Sequence, residues 1–91
     1  MRETVVLVID DEGQIRRVVH NALDSDGTRV IEAASGREGI DMAAAERPHL
    51  VILDLGLPDV DGVEVCKEIR KWSQSPIIVL SARHSDSEKV K

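Results

Sequence analysis

Four stretches of the chain are apolar or β-branched almost without interruption, and three of them stop at an acidic or hydroxyl side chain. Thr4–Ile9 runs into Asp10 and Asp11, Leu50–Leu53 into Asp54, and Ile77–Leu80 into Ser81. Continuous runs, rather than alternating ones, mark strands buried on both faces, as in a parallel sheet covered by helices. The remaining stretch, Thr28–Ala33, carries Arg29 and Glu32, which predicts an edge strand protected by charge.

Between these segments the period lengthens. Ile15, Val18, Val19, Ala22 and Leu23 fall on one helical stripe. Ile40, Ala43 and Ala44 repeat that spacing more weakly, and Val65, Cys66, Ile69 and Trp72 predict a third helix. Helix starts are marked where a capping residue precedes an acid or amide by three positions: Asp11 with Gln14, Ser35 with Glu38, Asp61 with Glu64, and Ser85 with Glu88. Gly27, Pro48 and Pro76 mark stops. The order is β-α-β-α-β-α-β, followed by the first residues of a fourth helix near Ser85. Such alternation predicts an α/β fold with a doubly wound parallel sheet and right-handed crossovers. Val90 and Lys91 follow a helix-start signal directly, so the pattern reads as interrupted.

Size and composition narrow the function classes. Ninety-one residues suffice for one domain. Hydrophobic residues make up 42% and charged ones 32%, an ordinary globular balance. A net charge of −5 argues against a nucleic-acid footprint in this segment. Cys66 is the single cysteine, so no intrachain disulfide can form, which suits a reducing cytoplasm. The N-terminal apolar stretch is too short, and too acidic at its exit, for a signal peptide or a membrane span.

In a parallel α/β sheet the C-terminal ends of the strands share one edge, where ligands bind. That edge would gather Asp10, Asp11, Asp54 and Ser81. Three carboxylates this close repel one another, and Mg²⁺, a hard cation that takes one or two carboxylates directly, relieves the repulsion. Asp54 then becomes a candidate nucleophile toward a phosphoryl donor, and Ser81 a donor to a phosphoryl oxygen. Taken singly, each residue has an ordinary role: Asp11 as a helix cap, Asp10 as a loop charge, Asp54 as a turn residue, Ser81 as a local hydrogen-bonding group. Their joint placement on strand ends carries the functional reading. Pro58–Gly62 reads as turn plus cap, Arg83 and His84 as solvent-facing, Cys66 as core, and Lys67, Arg70 and Lys71 as a solvated helix face. His20 and His49 stand far apart without further ligands at zinc spacing.

Val8-Ile9-Asp10-Asp11-Glu12, the stretch from Leu53-Asp54 through Pro58 to Gly62, and Ile78-Val79-Leu80-Ser81-Ala82-Arg83 resemble the response-regulator receiver domain of two-component signalling, in order and spacing. Leu55–Pro58 and Arg70–Ser73 resemble the branch of that family that regulates a potassium-transport operon. The resemblance implies a flavodoxin-like (CheY-like) sheet of order 2-1-3-4-5. It also implies Asp54 as phosphoacceptor, Asp10 and Asp11 as the acidic pair of a Mg²⁺ site, and the Gly56 backbone carbonyl as a further metal ligand. Ser81 would sense the phosphoryl group, and Ala82 would leave room for it. The donor implied is a phosphohistidine on a sensor histidine kinase.

A complete receiver continues through a fourth helix, a fifth strand that ends in a lysine, and a fifth helix. Residues 1–91 are therefore expected to be the N-terminal four-fifths or less of a receiver, lacking the fifth strand and fifth helix and carrying no effector domain. The expected role is that of a cytoplasmic phosphoacceptor, the N-terminal part of a transcriptional regulator. Its own chemistry would extend at most to self-phosphorylation from small donors and slow autodephosphorylation. A structural alternative is a self-association module without phosphotransfer, forming a homodimer through an unfinished sheet edge. An aspartyl phosphatase is opposed by Leu55-Gly56 after Asp54, where such enzymes place a second aspartate at the next position but one. The segment is expected to touch neither nucleic acid nor membrane.

Overall fold

The computed structural model describes residues 3–80. Strands β1 (Thr4–Ile9), β2 (Thr28–Ala33), β3 (Leu50–Asp54) and β4 (Ile77–Leu80) alternate with helices α1 (Gly13–Leu23), α2 (Gly36–Glu46) and α3 (Gly62–Arg70). All strand pairings are parallel, and the sheet order is β2-β1-β3-β4. The first four positions of the flavodoxin-like order are thus present. The fourth helix expected near Ser85, and the expectations for Ser81, Ala82, Arg83, His84, Val90 and Lys91, lie outside the described residues.

The uninterrupted apolar runs of β1 and β3 are explained by burial on both faces. Leu7 and Ile9 of β1, with Val51 and Leu53 of β3, pack beneath Ala43 of α2 and Val65 and Ile69 of α3. Val6 and Val8, with Ile52 of β3 and Val30 of β2, form a smaller cluster on the opposite face, against Val19 of α1. Because side chains alternate along a strand, a run that is apolar at every position serves both layers at once. The charged strand β2 lies at the edge, as its composition predicts. Arg29 pairs there with Glu3 and Glu46, each at 3.4 Å.

Several details differ from the sequence expectation. Asp11 does not cap α1; the cap position falls on Glu12, whose side chain makes no capping bond. The α1 stripe is only partly covered, since Val19 meets the sheet while Val18 is 66% exposed. Helix α3 ends at Arg70, so Trp72 lies beyond it and is exposed. Strand β4 was expected to be buried on both faces, but Ile78, Val79 and Leu80 are exposed. The cause is position: among the described residues β4 pairs with β3 alone and forms the second edge. Cys66 is half-buried beside the larger core, and burial pushes its thiol pKa up, with Arg70 opposing.

Helix α2 approaches β1 so closely that a glycine is required between them. A Cβ on Gly39 would lie 2.5–3.0 Å from Cδ1, Cγ1 and Cγ2 of Ile9. Ile9 is fully buried and β-branched, so it has no room to yield. Gly39→Ala is expected to destabilise the fold by about 1–2 kcal/mol. Overpacking costs roughly 1–3 kcal/mol and exceeds the gain of about 1 kcal/mol in helix propensity. Urea denaturation at constant m-value checks this, and a variant as stable as wild type would contradict it.

Candidate functional site

Strand order reverses between β1 and β3, because the chain passes from β1 outward to β2 and then back to β3. In open α/β sheets the crevice beyond the carboxyl ends of strands at such a point is where ligands bind. Asp10 and Asp11 follow β1, and Asp54 is the last residue of β3. One carboxylate oxygen from each of Asp10, Asp11 and Asp54 lies within 4.8 Å of the others. Asp10 and Asp54 are buried, at 3% and 2% exposure, while Asp11 is exposed. Two walls of the cluster are therefore fixed in the protein and one faces water.

The two buried aspartates are oriented by the same local device. Asp10 Oδ1 accepts a hydrogen bond from the Glu12 N–H at 2.9 Å, and Asp54 Oδ1 accepts one from the Gly56 N–H at 3.0 Å. A carboxylate bonded to the amide two residues on closes a small turn, a habit of Asp and Asn where a strand gives way to a loop. Asp10 is held a second time through its backbone. Arg16, on the first turns of α1, donates from its guanidinium to the Asp10 carbonyl oxygen at 2.7 Å and to Glu32 of β2 at 3.1 Å. The edge charge Glu32 thus has a second task, fixing the arginine that holds the β1–α1 loop; His20 also meets it at 3.1 Å.

The loop from Leu55 to Asp61 is tied down at its other end. Asp61 caps its own helix, accepting from the Val63 N–H at 3.0 Å, as the sequence predicts. Asp59 caps a different helix: its two carboxylate oxygens accept from Gly36 and Arg37, the first two amides of α2, at 2.9 and 3.0 Å. These two bonds, Gly36 first, hold the Asp59 pKa below its ordinary value of 3.8. Ser35 takes the next amide, Glu38, as expected.

The structure brings Asp10, Asp11 and Asp54 together and sets Gly56 against Asp54; Ser81 lies outside the described residues. Arg16 and the distant partner of Asp59 were not singled out by the sequence. Arg16 stands six residues after Asp10 on an unremarkable polar position, and the Asp59 bonds cross more than twenty residues of chain. The donor set suits a hard divalent cation, since it consists of carboxylate oxygens with no thiol or imidazole among them.

Residues 6–91 match the response regulator receiver domain. The chain belongs to the response-regulator receiver family. It is 51% identical over 96% of its length to the KDP operon transcriptional regulatory protein KdpE of Escherichia coli, and 49% identical over 96% to the KdpE transcriptional regulator of Mycobacterium tuberculosis. It spans 39% and 38% of the lengths of those relatives. Among solved structures, it is similar to the chemotaxis protein CheY4 of Vibrio cholerae, with a TM-score of 0.82 and 34% identity over 97% of this chain and 76% of that one. The response regulator domain of Thermotoga maritima CheB matches with a TM-score of 0.82 and 26% identity, over 98% and 68% of the two chains. Receiver domains generally use Mg²⁺ and are phosphorylated by sensor histidine kinases. Among the described residues no helix is long and apolar enough to cross a membrane.

The anchoring of α2 by Asp59 has a defined pH signature. Because its folded pKa is lowered, the anchor contributes its full stability above the ordinary carboxylate value. That contribution is lost as pH falls through the lowered native value, where the unfolded chain already holds the extra proton. Asp59→Asn is therefore expected to lose less stability than wild type across the acid range below about pH 4. Denaturant midpoints measured across that range check this, and parallel curves would contradict it.

Proposed function

We propose that this receiver domain accepts a phosphoryl group on Asp54 from the phosphohistidine of a sensor histidine kinase, with Mg²⁺ bound at Asp10, Asp11 and Asp54. The observation that carries the reading is the convergence of three carboxylate oxygens within 4.8 Å at the strand-order switch point. A carboxylate oxygen of Asp54 attacks phosphorus, and the O–P bond forms as the P–N bond of the donor breaks. Gly56 holds the plane of that carboxylate through its N–H, and its carbonyl is assigned to the cation. Asp10, fixed by Glu12 and Arg16, supplies a pre-oriented ligand, and Asp11 supplies one open to water. Ser81, which follows Leu80 in the sequence, is assigned the role of donor to the phosphoryl oxygens. When bound, Mg²⁺ neutralises charge on the transferring group.

In this reading residues 1–91 act as the receiver part of a cytoplasmic transcriptional regulator of the KdpE type. Support comes from identity near half over nearly the whole chain to relatives named as transcriptional regulators. Self-association through β4 is a second reading, favoured by the exposed Ile78, Val79 and Leu80 at a sheet edge. Apolar side chains on the edge that β4 forms among the described residues suit a homodimer contact. As a module without phosphotransfer it is the weaker reading, because it gives the acidic cluster nothing to do.

Incubation with acetyl phosphate and Mg²⁺, followed by borohydride trapping and peptide mass spectrometry, tests the proposal. The expected label is on Asp54 alone, falling to background in Asp54→Asn and on removal of Mg²⁺. Label mainly on Asp59 or Asp61, or label indifferent to Mg²⁺, would contradict it.

A further inference from the structure

The loop between β3 and α3 carries Gly56 at one end and Asp59 near the other, and each end is bonded to a different part of the molecule. Gly56 touches the buried carboxylate of Asp54. Asp59 holds the start of α2, with one oxygen on Gly36 and the other on Arg37. We infer that Asp59 is a positioning residue for the acidic site: by clamping the loop to α2 it sets the Gly56 amide against Asp54. The inference rests on the reading of Asp10, Asp11 and Asp54 as the metal and phosphoacceptor site.

Three features make the clamp more than a helix cap. First, α2 already has a cap of its own, since Ser35 takes the Glu38 amide and Glu38 bonds back to the Ala34 N–H at 3.1 Å. Asp59 adds the two amides that this local box leaves over, and a residue from the helix's own chain neighbourhood does not supply them. Second, the surfaces joined are in van der Waals contact. A Cβ on Gly36 would lie 3.0 Å from Val60 Cβ, 3.1 Å from Val65 Cγ2 and 3.3 Å from Leu57 Cδ1, so the start of α2 seats directly on the loop and on α3. Leu57 is buried in the larger core. Third, the link from clamp to site is short and stiff. Between Gly56 and Asp59 stand only the buried Leu57 and Pro58, whose ring fixes φ. A shift of Asp59 is therefore passed to Gly56 rather than absorbed. Charge favours the arrangement as well, because a carboxylate is stabilised at the positive end of a helix.

Asp59 is exposed, so its side chain can be changed without opening the core, and Ser35 provides a control that weakens the same helix end without touching the loop. In the metal-free chain, Asp59→Ala is expected to speed hydrogen exchange of the Gly56 amide severalfold and to move its NMR resonance. Asp59→Asn, which keeps one acceptor oxygen, is expected to show a smaller change. Ser35→Ala is expected to leave Gly56 as it is in wild type. Mg²⁺ affinity, followed by NMR titration, is expected to fall severalfold in Asp59→Ala, less in Asp59→Asn, and not at all in Ser35→Ala. A Gly56 amide as protected in both Asp59 variants as in wild type overturns the inference, and so does an equal loss in Ser35→Ala. If wild type binds no Mg²⁺, the reading of the site falls, while the exchange of Gly56 still decides the role of Asp59.

Discussion

Repulsion among carboxylates is the constraint around which the strand ends are built. Two unit charges 4.8 Å apart repel by about 3 kcal/mol at an effective dielectric constant of about 20. Native domains have only about 5–15 kcal/mol of stability in total. A cluster of Asp10, Asp11 and Asp54 is therefore a large local burden, and two of its members are almost fully removed from water. The backbone answers it in part, with the Glu12 and Gly56 amides each turned onto a buried carboxylate. In the proposed function a divalent cation adds countercharge from outside the chain, which a set of three carboxylate oxygens suits.

The rest of the fold can be understood as the frame that holds these groups in place. Strands β1 and β3 lie side by side at the sheet centre, and residues 5–9 and 50–53 are apolar throughout because both faces of these strands are covered. Their register fixes where Asp10 and Asp54 emerge. The loops that follow are then fastened to distant elements by charge: Arg16 ties the first to Glu32 of β2, and Asp59 ties the second to the amides of α2. Rigid strands supply position and charged tethers supply orientation. This division of labour suits the proposed phosphoacceptor role, in which the reacting groups meet a donor without rearrangement.

Local physics was legible in the sequence, and long-range pairing was not. The strands could be read because a run that serves two packed layers has no polar interruptions, and the caps at Ser35 and Asp61 because their partners lie within three residues. Asp11 looked equally like a cap, yet the cap position falls one residue later, on Glu12, and the helix begins at Gly13. The sequence also put Asp10, Asp11 and Asp54 at strand ends, and the parallel topology is what turns three separate strand ends into one cluster. The tethers escaped notice because Arg16 and Asp59 act across elements, where the sequence between partners carries no signal. The apolar run of β4 alone reads as burial on both faces, while its edge position among the described residues agrees with the unfinished sheet edge expected from the sequence.

The central claim is that a cation relieves the repulsion in this cluster, and thermal unfolding with and without Mg²⁺ tests it most directly. A ligand that binds only the folded state raises stability with its concentration. The midpoint of wild type should climb as Mg²⁺ is added, while that of Asp54→Asn should start higher in the absence of metal and climb less. Midpoints that respond equally to Mg²⁺ in the two proteins, or in neither, would contradict the account.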